Sequence, residues 1–152
     1  MYLDKSTFSS VIEHTPLVSI DLIVENEQGL ILLGKRLLKP AQGFWFVPGG
    51  RIQKNETLDE AFGRLTHSEL GTSYCRQQAN FKGVYTHHYD DSVFDEDFGT
   101  HYVVIAYHLL VTHTDLSLPV GDQHGNYHWY DQALAIESSD VHSYTKWYFQ
   151  PH

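Results

Sequence analysis

Apolar residues occur along this chain in short runs that predict a β-rich fold. The run LVSIDLIVE at residues 17–25 is rich in β-branched side chains, and a turn-forming cluster at residues 26–29 separates it from LILLGKR. The two runs therefore predict a β-hairpin. Further strand-like runs are, in chain order, FWFVP at 44–48, NFKGVYTHHY at 80–89, HYVVIAYHLLV at 101–111 and YHWY at 127–130.

Helical signals mark three other segments: residues 5–13, residues 58–70 and a last one at about 140–149. Asp4 can cap the first segment, Thr57 and Glu60 have the spacing of a capping box for the second, and Gly71 can close it. Strands and helices mix without the regular alternation of a doubly wound sheet. We therefore expect one α/β (α+β) domain over residues 1–152, with a mixed β-sheet and helices packed on both faces.

The composition fits an ordered cytoplasmic domain. Hydrophobic residues make up 41% of the chain, which is enough to bury a core. Cys75 is the only cysteine, so an intramolecular disulfide is impossible and an oxidising compartment is not indicated. The N-terminus lacks the pattern of a signal peptide, and apolar stretches of the roughly 20 residues that span a membrane are absent. We expect a cytoplasmic protein without membrane attachment.

The charge pattern favours a small anionic ligand. A formal net charge of −9 repels polyanions, which argues against nucleic acid as a partner. However, five of the ten basic residues lie between positions 35 and 54. The alternative is chance clustering of these residues on a solvated loop.

Glu69 stands out within the second predicted helix. At about 100° per residue it lies only about 20° from Leu58 in projection, on the stripe that Ala61, Phe62 and Leu65 should bury. A carboxylate on a packed face needs a cation or hydrogen bonds. The alternative is that the end of the helix frays and leaves Glu69 in water.

The whole stretch GRIQKNETLDEAFGRLTHSELG, residues 50–71, decides between these interpretations because it resembles the Nudix box. The pattern of that family is Gly-x5-Glu-x7-Arg-Glu-U-x-Glu-Glu-x-Gly-U, in which U is aliphatic. Five anchors match: Gly50, Glu56, Arg64, Glu69 and Gly71. The resemblance implies a Nudix-like α/β/α sandwich and a hydrolase of nucleoside diphosphate derivatives.

Two carboxylates of the Nudix pattern are missing. Leu65 and Ser68 stand where the family has Glu, and Thr66 and Thr72 replace aliphatic positions. In ordinary members the Glu cluster gathers several Mg²⁺ ions and often supplies the catalytic base. Its loss implies a single Mg²⁺, or Mn²⁺, that neutralises a diphosphate, and a base outside the helix.

Segments outside the box resemble a narrower family, GDP-mannose mannosyl hydrolase. They are TPLVSIDLIVEN, LLGKR, PAQGFWFVPGGR, LTHSELG, THYVV and DQH. That family hydrolyses GDP-mannose or GDP-glucose to GDP and the free sugar. Water attacks the anomeric carbon with inversion, which fits a depleted box.

The resemblance to this narrower family implies a set of site residues. The metal ligands would be the carbonyl of Gly49, the carboxylate of Glu69 and the side-chain oxygen of Gln123. His124 would be the general base, and Arg36, Arg51 and Tyr102 would contact the diphosphate. Asp21 and His88 would contact the sugar. The nucleotide would be held by Tyr2, Leu3, Phe8 and Arg36.

Several points stay open at this stage. Arg64 could reach phosphate or pair with Glu60 or with Glu56, and we favour the pairing with Glu56. The family forms homodimers, which composition does not show. The alternative functions are cleavage between the phosphates of a nucleotide sugar and nucleotide binding without catalysis. The presence of Gln123 and His124 argues against a domain that only binds.

Overall fold

The computed structural model describes residues 3–94, 97–118 and 124–150, with only the backbone at positions 124 and 125. Its strands are β1 (Leu17–Glu25), β2 (Ile31–Arg36), β3 (Trp45–Phe46), β4 (Gly49–Arg51), β5 (Ala79–Tyr89), β6 (Thr100–Leu110) and β7 (His124–Tyr130). Its helices are α1 (Lys5–His14), α2 (Leu58–Leu70), α3 (Gln132–Glu137) and α4 (Ser143–Lys146). Short 3₁₀ turns follow at Arg76–Gln78, His113–Asp115 and Trp147–Phe149. Within these residues, none of the helices has the length and apolar character of a membrane span.

The strands form one mixed seven-stranded sheet in the order β3-β2-β1-β6-β5. Strands β1 and β6 run parallel, and the other pairs are antiparallel. The predicted hairpin exists, but β1 and β2 pair only beside their turn, at Glu25 and Ile31. Beyond that point they separate, and β4 pairs with β1 while β3 pairs with β2. Strand β7 pairs along the other edge of β2.

Helices cover both faces of the sheet. One core cluster joins β1 and β6 to the apolar stripe of α2, which includes Ala61, Phe62 and Leu65. The other cluster joins the opposite face to α3 and to the segment after it, through Ala135, Val141 and Tyr148. The predicted fold class is therefore confirmed.

The local signals at the helix ends are confirmed. The Thr7 N–H donates to the Asp4 carboxylate at 2.7 Å at the start of α1. Thr57 and Glu60 form a reciprocal capping box at the start of α2. Gly71 ends α2 in the left-handed conformation, with φ of 75°. A residue with a side chain is strained at such an angle.

The sequence patterns did not predict three features. The first is helix α3, which Asp131 caps through its carboxylate. The second is β4, whose two glycines give no strand signal. The third is the exposure of Leu58, which lies at the first turn of α2 and has 36% of its surface exposed.

Candidate functional site

A cavity of about 370 Å³ opens between the sheet and the N-terminal end of the chain. Its walls come from α1, β1, β2, β4, α2, β5 and β6. Six of the predicted site residues line it: Phe8, Asp21, Arg36, Gly49, Arg51 and Tyr102. Residues from distant parts of the sequence thus meet at one place.

The loop before α2 is held by an ion pair between Glu56 and Arg64. The guanidinium donates to both carboxylate oxygens, at 2.7 and 2.9 Å, and to the carbonyl of Arg51 at 2.9 Å. The Glu56 carboxylate also accepts from the Gln53 N–H at 2.7 Å. The hydrogen bonds from Arg64 are the main cause that lowers the pKa of Glu56. The pairing favoured from the sequence is therefore present, and both residues act on the shape of the loop.

Glu69 lies on the buried face of α2, with 5% of its surface exposed, so the helix end does not fray. Its carboxylate accepts a hydrogen bond from the Gly49 N–H at 3.2 Å. Gly49 is itself tightly enclosed, because a Cβ there would stand 2.3 Å from the carbonyl oxygen of Ile20. Only glycine lets this strand come so close to β1. Two of the three predicted metal ligands are therefore neighbours.

The two helix positions that lack the carboxylates of the Nudix pattern lie beside the cavity. Leu65 is 3% exposed, and Ser68 donates from its hydroxyl to the Leu65 carbonyl at 3.3 Å. Both residues line the cavity. Among the described residues that line it, Asp21 is the one with a carboxylate.

Two arginines and a tyrosine form the cationic wall of the cavity. Arg36, at the end of β2, donates from Nε to the carbonyl of Pro40 at 3.3 Å. Arg51 lies with its guanidinium 4.8 Å from the centre of the Phe8 ring, a cation–π contact. Burial raises the pKa of Tyr102, and the two guanidinium groups oppose that effect. The Tyr102 phenol thus stays protonated and can donate to an anion between the arginines.

Asp21 lies on β1 opposite Gly49. Its carboxylate accepts a hydrogen bond of 2.5 Å from the hydroxyl of Tyr148. Burial raises the pKa of Asp21 to about 6, although the Tyr148 hydrogen bond and the positive charge of Arg36 act in the opposite direction. The single charged group within the run LVSIDLIV is therefore a cavity residue with a specific partner.

His88, predicted to contact the sugar, does not line the cavity. His88 is exposed, lies on the sheet face away from the cavity and stacks on His101 at 4.4 Å. The neighbouring His87 lines the cavity instead, since side chains alternate between the faces of a strand. Its side chain is 3% exposed, and its Nε2 atom has no hydrogen-bond partner within the described part of the chain. We call Asp21 and His87 together the cavity floor.

Burial is the main cause that lowers the pKa of His87 to about 4, and the positive charge of a protonated His142 adds to it. The imidazole is therefore neutral near pH 7 and offers one donor and one acceptor nitrogen.

A sequence signal for His87 existed. It shares a face of β5 with Tyr85 and Tyr89, and aromatic residues on alternate positions mark the packed face of a strand. Tyr148 gave no comparable signal.

Some predicted residues fall outside this description. Tyr2 and Gln123 lie outside the described residues, as does the side chain of His124. The backbone of His124 begins β7, and its Cα lies opposite that of Arg36. Leu3 is half-buried before the cap of α1 and does not line the cavity.

Comparison with known proteins gives consistent results. The family model described as NUDIX domain matches residues 15–148. A Haloferax volcanii protein named low-salt glycan biosynthesis protein Agl8 is 38% identical over 117 residues, which are 77% of this chain and 72% of that protein.

Two solved structures share the fold. The MutT protein from Methanosarcina mazei Go1 superposes with a TM-score of 0.70 at 20% identity, covering 90% of this chain and 92% of that one. A MutT NUDIX hydrolase from Burkholderia pseudomallei gives 0.68 at 25% identity, covering 89% and 96%. The mixed sheet with helices on both faces is thus an architecture found in solved proteins.

Proposed function

Because this chain belongs to the NUDIX domain family, we propose that it hydrolyses GDP-mannose or GDP-glucose to GDP and the free sugar. Family membership by itself supports a hydrolase of nucleotide derivatives that uses a divalent cation, commonly with pyrophosphohydrolase activity. The proposal is narrower: water attacks the anomeric carbon of the sugar, with inversion, and GDP departs.

The observation that carries the proposal is the distribution of carboxylates around the cavity. The helix positions that would supply further metal ligands and a base carry a buried Leu65 and the hydroxyl of Ser68. The carboxylate that does reach the cavity, Asp21, belongs to the sheet. A site arranged in this way favours chemistry away from α2, on the side of the cavity floor.

The residues present fit a single divalent cation. The metal would be held by the carbonyl of Gly49, the carboxylate of Glu69 and the side-chain oxygen of Gln123, all hard donors of the kind that Mg²⁺ or Mn²⁺ prefers. In support, Glu69 is a buried carboxylate beside Gly49, and a buried charge calls for compensation. When bound, the ion would neutralise charge on the diphosphate.

The protein residues have separate tasks in this proposal. Arg36, Arg51 and Tyr102 bind the diphosphate and stabilise the charge that grows on departing GDP. His124 takes a proton from the attacking water, a task suited to an imidazole at neutral pH. Its backbone position opposite Arg36 supports this role, since it brings the residue to the cationic wall.

The two ends of the substrate would meet different residues. The hydroxyl groups of the sugar would lie against Asp21 and His87, which provide neutral or anionic hydrogen-bond partners. The guanine end would lie near Phe8, with Tyr2 and Leu3 beside it. In support of a sugar-containing substrate, the Haloferax volcanii relative is named for glycan biosynthesis.

Hydrolysis in water labelled with ¹⁸O tests the proposed bond cleavage. We expect the label in the free sugar, detected by mass spectrometry, and GDP without it. Label in GDP would mean attack at phosphorus. Release of GMP and a sugar phosphate would support the alternative function, the pyrophosphohydrolysis common in the family. A wild-type protein that binds GDP-mannose with Mg²⁺ but never turns it over would support a binding domain.

We also propose that the protein is a cytoplasmic homodimer, as the resemblance implies. The edge strand β5 supports this, because among the described residues it pairs only with β6 and exposes 62% of Phe81 and 61% of Val84. Antiparallel pairing of two copies would bring Lys82 towards the acidic Asp90 and Asp91 that follow the strand. Light scattering tests this: Val84→Lys should yield monomers, whereas Leu134→Lys, at a residue 64% exposed on α3, should not.

A further inference from the structure

The C-terminal segment Ser143–Phe149 packs two tyrosines against the cavity floor. Tyr144 and Tyr148 are four residues apart, a spacing that puts both on one side of a helical turn. Tyr148 hydrogen-bonds to Asp21 and its ring lies 6.4 Å from that of His87, Tyr144 stacks on His87, and neither tyrosine is among the described residues that line the cavity. Their effect on a ligand would therefore act through Asp21 and His87.

Tyr148 fixes Asp21. Its hydroxyl donates to Oδ2 of the carboxylate at 2.5 Å, and its own ring is 3% exposed. The ring also packs edge to face on Tyr85, with centroids 4.9 Å apart and an interplanar angle of 87°. Because the Tyr148 hydroxyl is held in place, its hydrogen bond to Oδ2 restricts the rotation of the Asp21 carboxylate.

Tyr144 fixes His87. The two rings are stacked, with centroids 4.2 Å apart and planes inclined by 2°. The Tyr144 hydroxyl is anchored to the backbone of the next residue, since it accepts from the His88 N–H at 3.0 Å and donates to the His88 carbonyl at 2.6 Å. The ring of Trp147 packs beside both of them, with its centroid 5.9 Å from that of His87 and 4.6 Å from that of Tyr144. The imidazole therefore has a fixed plane.

The fixed groups have the chemistry of a site for neutral hydroxyls. The Nε2 atom of His87 is buried without a partner among the described residues, and such a group is stabilised when a ligand supplies the missing hydrogen bond. Asp21 accepts hydrogen bonds but repels phosphate. The cations that attract phosphate, Arg36 and Arg51, line the same cavity.

We propose that Tyr144 and Tyr148 are positioning residues for the sugar end of the substrate, holding His87 and Asp21 in the orientation that receives the hydroxyl groups of a pyranose ring. This inference rests on the proposed function, since it assigns the sugar to the cavity floor. It adds a role for the C-terminal segment that the sequence motifs do not contain.

Removing one hydroxyl group tests the role of Tyr148. Tyr148→Phe keeps the ring and its contact with Tyr85 but removes the donor to Asp21. Calorimetry would measure the affinity for GDP with Mg²⁺ and for GDP-mannose without the ion, so that no turnover occurs, and a product assay with Mg²⁺ would measure kcat and KM. We expect kcat/KM for GDP-mannose to fall about 10- to 100-fold, the range for a hydrogen bond to a charged group, with GDP affinity unchanged.

Two variants test Tyr144. Tyr144→Phe keeps the stacking on His87, whereas Tyr144→Leu removes it. We expect the Phe variant to retain most of the affinity for GDP-mannose and the Leu variant to lose it, again without a change for GDP. Tyr74→Phe is the matched control, because Tyr74 packs against the core cluster on the α2 side of the sheet. Thermal melting would verify that each variant is folded.

The outcomes separate this inference from the proposed function. Equal losses for GDP and GDP-mannose would mean a structural role and would overturn the positioning role, as would a Tyr148→Phe variant with the affinity and turnover of the wild type. A folded wild-type protein that neither binds nor hydrolyses any GDP-sugar would overturn the proposed function and this inference together. A loss confined to GDP-mannose supports both.

Discussion

Two carboxylates near the cavity, Glu56 and Asp21, are each held by one main partner, with opposite consequences. Glu56 belongs to the loop-helix segment, residues 50–71, and its bidentate pairing with Arg64 lowers its pKa. Asp21 belongs to the cavity floor, and burial raises its pKa to about 6 in spite of a short hydrogen bond from Tyr148. Both oxygens of the Glu56 carboxylate accept hydrogen bonds from within the protein, and the residue shapes a loop. The Asp21 carboxylate accepts a hydrogen bond from Tyr148 at Oδ2 and lines a cavity.

This difference shows which part of the Nudix motif is structural in this chain. In the loop-helix segment, Glu56 and Arg64 maintain the loop, and Glu69 reaches the region of the proposed metal site. Groups suited to contact the reacting sugar lie on the sheet, at Asp21 and His87. Variants of Glu56 and Arg64 should therefore affect folding stability, whereas variants of the sheet residues that would contact the sugar should affect turnover or ligand selectivity.

The largest effect is expected at His124, the proposed base on β7. Replacing it by Ala should lower kcat for GDP-mannose about 10²- to 10⁴-fold, the usual contribution of a general base. The affinity for GDP should be unchanged. His67→Ala, at an exposed histidine of α2, serves as the control from the loop-helix segment. Unchanged turnover in His124→Ala would contradict the proposed mechanism.

A second prediction concerns the contribution of His87 to the pH dependence of stability. Its pKa is about 4 in the folded state against 6.5 for an unperturbed histidine. Between these values the unfolded state binds more protons at His87, so the contribution of this residue to the free energy of unfolding falls as pH drops from 6.5 towards 4, whereas Asp21, whose pKa is raised to about 6, contributes in the opposite direction below pH 6. The loss should reach about 3 kcal/mol at most.

The variant His87→Phe should lose this contribution, so that its stability relative to the wild type rises as pH falls, because it keeps a ring against Tyr144 and removes the titrating group. Urea unfolding at pH 4.5, 5.5 and 7 would measure it. His88→Phe, at the exposed neighbour, is the matched control and should keep the wild-type slope. If both variants kept the slope, another group would be responsible for it.

Local patterns predicted the fold well, because the signals that set its elements lie within a few residues of one another. The caps of α1 and α2 and the long strands β5 and β6 are examples. Helix α3 and strand β4 were missed. Strand β4 exists because β1 offers its backbone as a pairing partner, and that contact is not encoded in the two glycines themselves.

The candidate site was predicted in part. Fixed spacing identified Glu56, Arg64 and Glu69, and family resemblance identified the six residues that line the cavity. The choice between His87 and His88 depends on which face of β5 is turned to the cavity, and a shift of one residue reverses it. Tyr148 meets Asp21 across 127 residues of sequence, a contact that only the folded chain brings about.

A smaller effect is expected from breaking the ion pair of the loop-helix segment. Glu56→Gln and Arg64→Met should each lower the free energy of unfolding by about 1–2 kcal/mol, a value reduced by the partial exposure of the pair. Because the partners contact each other, the double variant should lose less than the sum of the two. Urea unfolding of the four proteins measures the coupling. Full additivity would mean that the pair does not hold the loop.

The smallest effect is expected from restoring a missing carboxylate at Ser68. This residue is exposed beside the cavity, so Ser68→Glu should change stability by no more than about 0.5 kcal/mol. If the loop-helix segment is structural and the base lies on the sheet, the added carboxylate has no proton to take from the attacking water. The products from GDP-mannose should therefore remain GDP and mannose, measured by chromatography.

Ser73→Glu, at an exposed serine beyond the end of α2, controls for the added charge. Release of GMP by Ser68→Glu alone would show that the helix still governs which bond is broken, because a carboxylate at that position would then be sufficient to direct water to phosphorus.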